Sequence, residues 1–304
     1  MIHCRGLLAG RYRMVATNAK TGKQRLLADW FPNLITDYGL NALGAQSWNN
    51  LNFCCVGSGN DAPTNADTAL ASFVAASNTN NGSTTGVQNS EPYYGWRRRV
   101  IRFGEGVAAG NLSEVGMTAN LTTASLFSRA LILDGLGDPT TITVLSNEFL
   151  DVTYELRLYP PLTDVVEEIS DGATNYTVTT RAAEVTSNGW ASGTLGTRVD
   201  ALTGTSSWVV ARSGPIGTIT GTPSGSGSNR SSITNDTYQN NSLERTGLVY
   251  FGLGAGNFGT GIKSLWWRNT AFGSFQTEFD PVIPKIDTQD LTIGVKVSWG
   301  RYVP

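Results

Sequence analysis

Hydrophobic and polar residues alternate along most of this chain, which is the spacing expected when successive side chains point to opposite faces of a sheet. The longest case is residues 150–158, where Leu150 and Val152 begin an apolar series and Asp151 and Thr153 begin a polar one. This pattern predicts a strand with one buried face and one face in water. Similar but shorter patterns predict further strands at residues 10–15, 24–27, 53–56, 99–103, 112–117, 126–133, 141–144, 176–181 and 207–212.

One stretch carries the signals of a helix. Thr36 or Asp37 can cap its first turn, because a short side-chain oxygen accepts hydrogen bonds from free backbone amides there. Leu40 and Leu43 lie on one face, and Gly44 is a plausible stop. The sequence therefore predicts one short helix near residues 36–45.

Two polar segments, residues 76–90 and 221–242, are rich in Asn, Thr, Ser and Gly. Because these residue types bury little apolar surface, both segments are predicted to be long exposed loops. Each precedes a strand that ends in Phe-Gly, so the two halves of the chain share one order of elements.

An internal repeat underlies this shared order. The segment that starts at Phe103 and ends at Asn111 returns between Phe251 and Asn257, and the same spacing carries Phe127 onto Phe275. The repeat is too long for a solenoid unit, whose period is roughly 20–50 residues. It predicts an all-β chain of two tandem β-sandwich-like domains that arose by duplication. Pro160 and Pro161 favour an extended link, which places the domains at 1–160 and 161–304.

Composition removes several classes of function. The chain has 304 residues, a net charge of −2 and only 15% charged residues, so neither nucleic acid nor membrane is expected as a partner. No apolar run is long enough to span a membrane or to serve as the core of a signal peptide. Three cysteines, two of them adjacent, do not form a disulfide framework and indicate free thiols in a reducing cytoplasm.

Candidate chemistry is sparse. His3 is the sole histidine, and no Gly-x-Ser-x-Gly elbow with a plausible partner accompanies it, so no catalytic residues, cofactor or metal are predicted. Asp61 and Asp67, with Asn60 and Asn65, offer oxygen ligands for Ca²⁺ but lack the spacing of a dedicated calcium loop. Turn formation, with Asp67 capping a short turn towards Leu70, is the favoured interpretation.

Aromatic and basic residues supply the remaining candidates for an interaction surface. Arg97 and Arg98 follow Trp96, a grouping that fits either stacking on a phosphate-bearing ligand or, more simply, a strand start or subunit contact. The other candidates can stack on sugars, fill a subunit interface or pack in the core, with core packing favoured for most. These residues are Trp190, Trp208, Trp266 and Trp267.

Residues 33–44 (Asn-Leu-Ile-Thr-Asp-Tyr-Gly-Leu-Asn-Ala-Leu-Gly) and four later segments carry a family resemblance. The later segments are residues 111–116, 126–132, 140–144 and 150–161, the last ending in Glu-Leu-Arg-Leu-Tyr-Pro-Pro. Together they resemble tail and baseplate-associated proteins of tailed bacteriophages over most of residues 30–161. The resemblance implies a non-enzymatic part of the virion near the distal end of the tail, assembled in the bacterial cytoplasm. It supplies no catalytic residues, and residues 161–304 are joined to it only through the internal repeat.

Three functional hypotheses follow. The first is a structural adaptor of the distal tail that connects neighbouring tail proteins, present as a homotrimer whose duplicated domains offer six similar faces to a six-fold tail. The alternative is a receptor-binding tail fibre protein that contacts a host-surface glycan or pilus through the polar loops or aromatics. An enzyme such as a depolymerase is the third class, and no carboxylate pair in the sequence stands out to support it.

Overall fold

The computed structural model describes residues 1–45, 51–120, 125–187, 190, 195–196, 198–202, 209–269 and 271–303. Within them the chain is nearly all β, as predicted. The first elements are β1 (Ile2–Asn18), β2 (Gln24–Pro32), β3 (Leu34–Ile35), α1 (Asp37–Ala45), β4 (Phe53–Gly57), β5 (Phe73–Ser77), β6 (Thr79–Gln88), β7 (Tyr94–Phe103), β8 (Gly110–Leu112), β9 (Glu114–Thr118), β10 (Leu126–Leu131), β11 (Ile142–Val144) and β12 (Glu148–Tyr159). The others are β13 (Val165–Ser170), β14 (Asn175–Ala183), β15 (Val209–Arg212), β16 (Gly227–Asn229), β17 (Ser232–Asn235), β18 (Glu244–Phe251), β19 (Ile262–Asn269), β20 (Gly273–Ile283) and β21 (Leu291–Arg301).

A large sheet runs through the whole molecule in the order β17-β18-β21-β1-β12-β7-β6, with β2 also paired to β1. Strand β1 is its centre: it pairs antiparallel with β12 and parallel with β21. Along β1, alternate residues such as Tyr12 and Met14 are fully buried, while Arg11 and Arg13 lie on the outer face. The sheet therefore has an inner face that packs and an outer face in contact with water.

Two smaller sheets supply the second layer. One has the order β3-β10-β9-β4-β5 and the other has the order β13-β14-β20-β19-β15-β16, while β8 and β11 form a separate ribbon. Their buried side chains join those of the large sheet in one continuous hydrophobic cluster that includes Tyr12, Phe127, Tyr154, Phe275 and Trp299. This burial of apolar surface between layers is the main stabilising contribution in such a fold.

The repeated segments occupy corresponding places in these sheets. Phe103, at the end of β7, lies opposite Leu150 of β12, and Phe251, at the end of β18, lies opposite Leu291 of β21. The smaller sheets also correspond, because the order β10-β9-β4-β5 in one matches β20-β19-β15-β16 in the other. The common origin of the two halves stays a prediction, but their strand order and register agree.

The predicted boundary at residues 160 and 161 lies in the connection between β12 and β13. Since β1 pairs with both β12 and β21, strands from both predicted domains share the large sheet. The division into 1–160 and 161–304 thus stays a prediction about the chain's organisation, in a structure where the two segments are joined through one sheet.

One predicted loop is a strand. Residues 79–88 form β6, which pairs with β7 along its length and lies at the end of the large sheet. Polar Asn and Thr side chains are compatible with an edge strand, because the backbone supplies the pairing and the side chains stay in water. In the second polar segment, residues 221–242, the short strands β16 and β17 interrupt an otherwise irregular course.

The predicted helix is confirmed as α1, and Thr36 is its cap. The Thr36 hydroxyl accepts a hydrogen bond from the Gly39 amide at 2.9 Å, and Leu40 and Leu43 are buried on the inner side. Gly39 is required by packing, since a Cβ there would lie 2.1 Å from the Phe127 carbonyl oxygen.

Replacing Thr36 with Ala is expected to lower the free energy of unfolding by about 1 kcal/mol, because it removes the acceptor for a first-turn amide. Urea unfolding followed by tryptophan fluorescence measures this change. Thr36→Ser keeps a hydroxyl and is expected to restore most of the loss. Equal losses in the two variants would show that the methyl group, and not the cap, carries the effect.

Candidate functional site

Glu155 is the centre of a charged cluster on the outer face of the large sheet. Register places it between Arg11 of β1 and Arg98 of β7. Arg11 Nε donates to Glu155 Oε1 at 2.7 Å, Arg157 Nε donates to the same oxygen at 2.6 Å, and Arg98 Nε donates to Oε2. Although Glu155 lies on the outer face, its side chain is completely buried beneath these arginines.

The charges in this cluster shift one another's ionisation. Burial alone would raise the pKa of Glu155, but hydrogen bonds from Arg11, Arg157 and Arg98 outweigh it, so the pKa lies below its ordinary value. For Arg157, burial opposes the charged form, yet its bonds to Tyr159 and Glu155 raise its pKa overall. Glu155 is therefore a carboxylate at neutral pH.

Two tryptophans lie against the arginines. The Arg11 guanidinium carbon is 4.1 Å from the ring centroid of Trp30, and that of Arg98 is 4.2 Å from Trp96 and 5.2 Å from Trp30. Such cation–π contacts contribute about 0.5–1 kcal/mol each at partly exposed sites. Gly86 on β6 makes room for Trp96, because a Cβ there would lie 2.4 Å from the indole Cζ2.

Tyrosines extend the cluster along the sheet. Tyr159 stacks on Tyr302 with ring centroids 3.7 Å apart, and the ring centroid of Tyr94 lies 5.3 Å from that of Tyr159. The Arg157 guanidinium is 4.3 Å from the centroid of Tyr94. We call the whole set the arginine–aromatic face, and its members are Arg11, Trp30, Tyr94, Trp96, Arg98, Glu155, Arg157, Tyr159 and Tyr302.

A groove of about 350 Å³ opens at one side of this face. Gly10 is one of its lining residues, and a Cβ at that position would lie 2.4 Å from the buried Tyr154 hydroxyl and 2.5 Å from Asn33 Oδ1. The residues that line the groove are Ala9, Gly10, Arg11, Trp30, Phe31, Pro32, Asn33, Arg157, Tyr159 and Tyr302. We refer to it as the Trp30 groove.

The structure separates the predicted Trp-Arg-Arg group. Trp96 and Arg98 belong to the arginine–aromatic face, whereas Arg97 points to the opposite side of β7 and is buried. Arg97 Nη1 donates to the Leu195 carbonyl at 3.0 Å, and burial, with a smaller contribution from Arg99, lowers its pKa. Arg97 is therefore not part of the exposed surface, because neighbouring residues of a strand face opposite sides.

The other predicted tryptophans that the structure describes belong to the second half of the chain. Trp190 and Trp267 are buried around Phe275, with ring centroids 5.6 Å and 4.9 Å from it. Their indole nitrogens donate to the Ala183 carbonyl and the Thr277 hydroxyl, so both are core residues. Trp266 is half-buried on β19. Trp208 lies outside the described residues.

The possible calcium ligands have a different role. Asp67 accepts hydrogen bonds from Thr64 Oγ1 at 2.6 Å and from Arg129 Nη1 at 2.6 Å, while the Asp61 backbone oxygen accepts one from Arg129 Nη2. Asp67 closes a turn with Thr64 and does not cap towards Leu70. Arg129 thus pairs with the Asp67 carboxylate and with the backbone of Asp61, and no group of three or more metal-ligating side chains occurs in the described parts of the chain.

His3 has one contact that the sequence could not show. Its Nε2 lies 3.0 Å from Ser298 Oγ, because β1 and β21 pair in parallel. Glu167 accepts a hydrogen bond from the backbone N–H of His3, so this carboxylate does not orient the imidazole ring. The geometry lacks the third member of a nucleophilic triad among the described contacts.

The cysteines are free and buried, in agreement with the sequence. Burial and, to a smaller extent, the neighbouring Glu114 charge raise the pKa of Cys55 to about 12, although backbone hydrogen bonds to the thiol act in the opposite direction. Since the thiolate is the reactive form, these side chains are packing residues.

Most members of the arginine–aromatic face were not predicted. Alternation in residues 150–158 already placed Glu155 and Arg157 on the polar side of a strand. It did not show that Arg11 and Arg98 lie opposite Glu155, because register between distant strands is not encoded in local alternation.

No protein-family model, curated protein or solved structure matches the chain. Among the described residues no helix is long and apolar enough to cross a membrane.

Proposed function

We propose that this chain is a non-enzymatic structural component of the distal tail of a tailed bacteriophage, an adaptor that connects neighbouring tail proteins. The arginine–aromatic face is the observation that carries the proposal, and it is the surface offered to the partner. The resemblance of residues 33–44 and 111–161 to tail and baseplate-associated proteins supports the setting.

The composition of this face is typical of protein interfaces. Trp, Tyr and Arg are enriched among the residues that contribute most binding energy. Here all of them except Tyr302 lie on paired strands, and Glu155 holds Arg11, Arg98 and Arg157 in fixed positions. A surface ordered before binding loses less side-chain entropy when a partner arrives.

The corresponding strands of the second half form without such a face. Thr246 and Lys296 pair at the register position that Arg98 and Glu155 occupy in the first half. The two halves thus share a backbone arrangement, whereas the outer-face arginines and tryptophans of the arginine–aromatic face occur in the first half only. Because the same backbone arrangement forms in the second half without these side chains, binding is the best explanation for their presence in the first half.

Labelling of particles with an antibody raised against the purified chain tests the proposed setting. The expected result is label at the distal end of the tail, on its axis, with three copies of the chain in each particle. Absence of the chain from purified particles would overturn the proposal. Six copies or a single copy in each particle would exclude the homotrimer but would be compatible with the adaptor function.

A second candidate function is receptor binding, and the Trp30 groove favours it. Trp30 and Tyr302 offer ring surfaces next to Arg11 and Arg157, an arrangement that also suits a sugar with an acidic group. Saccharide binding on a glycan array, together with label on a projecting fibre, would favour this candidate over the adaptor.

Replacing Trp96 with Ala is expected to weaken incorporation of the chain into the tail by at least about 30-fold, because an interface tryptophan of this kind contributes roughly 2 kcal/mol or more. Competition between variant and wild-type chains during particle assembly measures the effect. Tyr250→Ala is the matched control, since Tyr250 lies on the outer face of β18 in the other half. Equal incorporation of the Trp96 variant and wild type would exclude this face as the docking surface.

A further inference from the structure

The Trp30 groove has a surplus of positive charge. The charged residues that line it are Arg11 and Arg157. Together with Arg98 they pair with Glu155, and no other carboxylate of the described residues forms a salt bridge with any of the three. Three positive charges therefore face one negative charge, and the surplus lies beside the groove.

The two groove arginines also retain donors. Arg11 uses Nε and Nη2 for Glu155, and Arg157 uses Nε for Glu155 and Nη1 for the Tyr159 hydroxyl. A guanidinium carries five N–H donors in a planar fork. Both arginines can thus bind a second carboxylate without releasing Glu155.

The rest of the lining selects for apolar groups. Ala9, Phe31 and Pro32 present hydrocarbon, and Trp30 and Tyr302 present ring surfaces. A saccharide with many hydroxyls needs several neutral polar partners, since buried hydroxyls are costly when unpaired.

Asn33 is the one amide side chain in the lining, and its nitrogen already donates to the Tyr154 hydroxyl at 3.2 Å. The lining therefore fits a carboxylate with apolar flanks, which is the chemistry of an acidic peptide segment. A volume near 350 Å³ is at the lower end of the roughly 300–1,000 Å³ found for ligand sites, so it admits a few side chains.

We propose that the Trp30 groove binds an acidic segment of the partner protein. An Asp or Glu side chain of that segment pairs with Arg11 and Arg157, and apolar neighbours pack on Trp30 and Tyr302. The inference rests on the proposed function, because it names the chemistry of the partner that the adaptor connects. Charge complementarity and the apolar lining are the observations that carry it.

Selection of random dodecapeptides on the full-length chain tests the proposal. The expected result is enrichment of peptides with Asp or Glu next to apolar residues. The double variant Arg11→Gln with Arg157→Gln is expected to weaken binding of the selected peptides by at least about tenfold. Arg13→Gln is the matched control, since Arg13 lies on the same strand and face but pairs with the exposed Asp29 outside the groove.

A second variant avoids disturbance of Glu155. Ala9→Tyr places a ring in the groove and leaves every arginine in place. Binding of the selected peptides is therefore expected to weaken to a similar extent, while the unfolding curve stays close to that of wild type. Far-ultraviolet circular dichroism of each variant checks that the fold is retained.

Two outcomes would overturn the inference. The first is selection of peptides without acidic residues, or acidic peptides that bind the groove variants as well as wild type. The second is binding of acidic saccharides on a glycan array, lost in Ala9→Tyr, with no peptide selected.

Failure of this inference can be told from failure of the proposed function. If the chain is found at the distal tail but shows no preference for acidic peptides, the inference is refuted and the proposed function stands. Acidic peptide binding by a chain that particles lack would refute the tail setting alone.

Discussion

Replacing Arg129 with Met is expected to lower the free energy of unfolding by about 3–5 kcal/mol, because removal of one member of a buried ion pair leaves the other uncompensated. Arg129 and Glu114 are both almost completely buried. Arg129 Nε donates to Glu114 Oε2 at 3.0 Å, and its two terminal nitrogens donate to Asp67 and to the Asp61 carbonyl. Met keeps the length of the side chain but supplies none of these bonds.

The loss of stability in Arg129→Met is expected to extend to the segment that precedes β5. Glu114 also accepts backbone hydrogen bonds from Gly59 and Ser72, at 3.0 and 2.7 Å, so it fixes both ends of this segment against β9. Without the guanidinium, an uncompensated carboxylate remains in the interior. Faster amide hydrogen exchange over residues 59–72 is therefore expected in the variant.

Urea unfolding of Arg129→Met and Arg13→Met measures the difference. Arg13 is partly exposed and pairs with a mostly exposed Asp29, so its replacement is expected to change the free energy of unfolding by less than about 1 kcal/mol. Losses of the same size in both variants would show that the buried network does not stabilise the fold as argued.

Local sequence patterns predicted the strands and the helix well, because each depends on neighbouring residues. Alternation in residues 150–158 corresponds to β12, and the Thr36 cap with Leu40 and Leu43 corresponds to α1. The polar residues 79–88 are the main difference, because the sequence predicts a loop where the structure has β6. Side-chain polarity reports exposure, but an edge strand is held by backbone hydrogen bonds that any residue except proline can form.

These local patterns cannot predict which strands pair when they are distant in the sequence. The parallel pairing of Ile2 with Val295 joins the two ends of the described chain, and nothing in either segment indicates the other as its partner. The arginine–aromatic face depends on the same information. A local cluster of basic and aromatic residues indicates Trp96 and Arg98, whereas only register brings Arg11 and Glu155 next to them.

Arg97 shows how a local cluster misleads. Three successive arginines suggest one basic patch, but period-two alternation sends Arg98 outward and Arg97 and Arg99 inward. Burial lowers the pKa of Arg97 and Arg99, whereas Arg98 lies on the outer face beside Trp96 and Glu155. Successive arginines on one strand therefore belong to different surfaces of the sheet.

Replacing Glu155 with Gln is expected to lower the free energy of unfolding at neutral pH by about 2–3 kcal/mol, because three arginines lose their common carboxylate. The loss is smaller than for Arg129, since Arg11, Arg98 and Arg157 are partly exposed and water can solvate them. Gln keeps the shape of the side chain, so packing is little changed.

The pH dependence of this loss identifies its electrostatic origin. The pKa of Glu155 in the folded chain lies below its ordinary value of 4.5, so the carboxylate stabilises the fold fully above about pH 4.5. This contribution is lost as the pH falls from there through the lowered pKa, because the carboxyl then takes up a proton in the folded state as well. The gap between wild type and Glu155→Gln is therefore expected to narrow in acid, and Glu105→Gln, at an exposed turn position, is expected to match wild type throughout. A gap that stays constant from neutral pH to about pH 3 would show that hydrogen bonding to a neutral group, and not the charge of Glu155, holds the arginines in place.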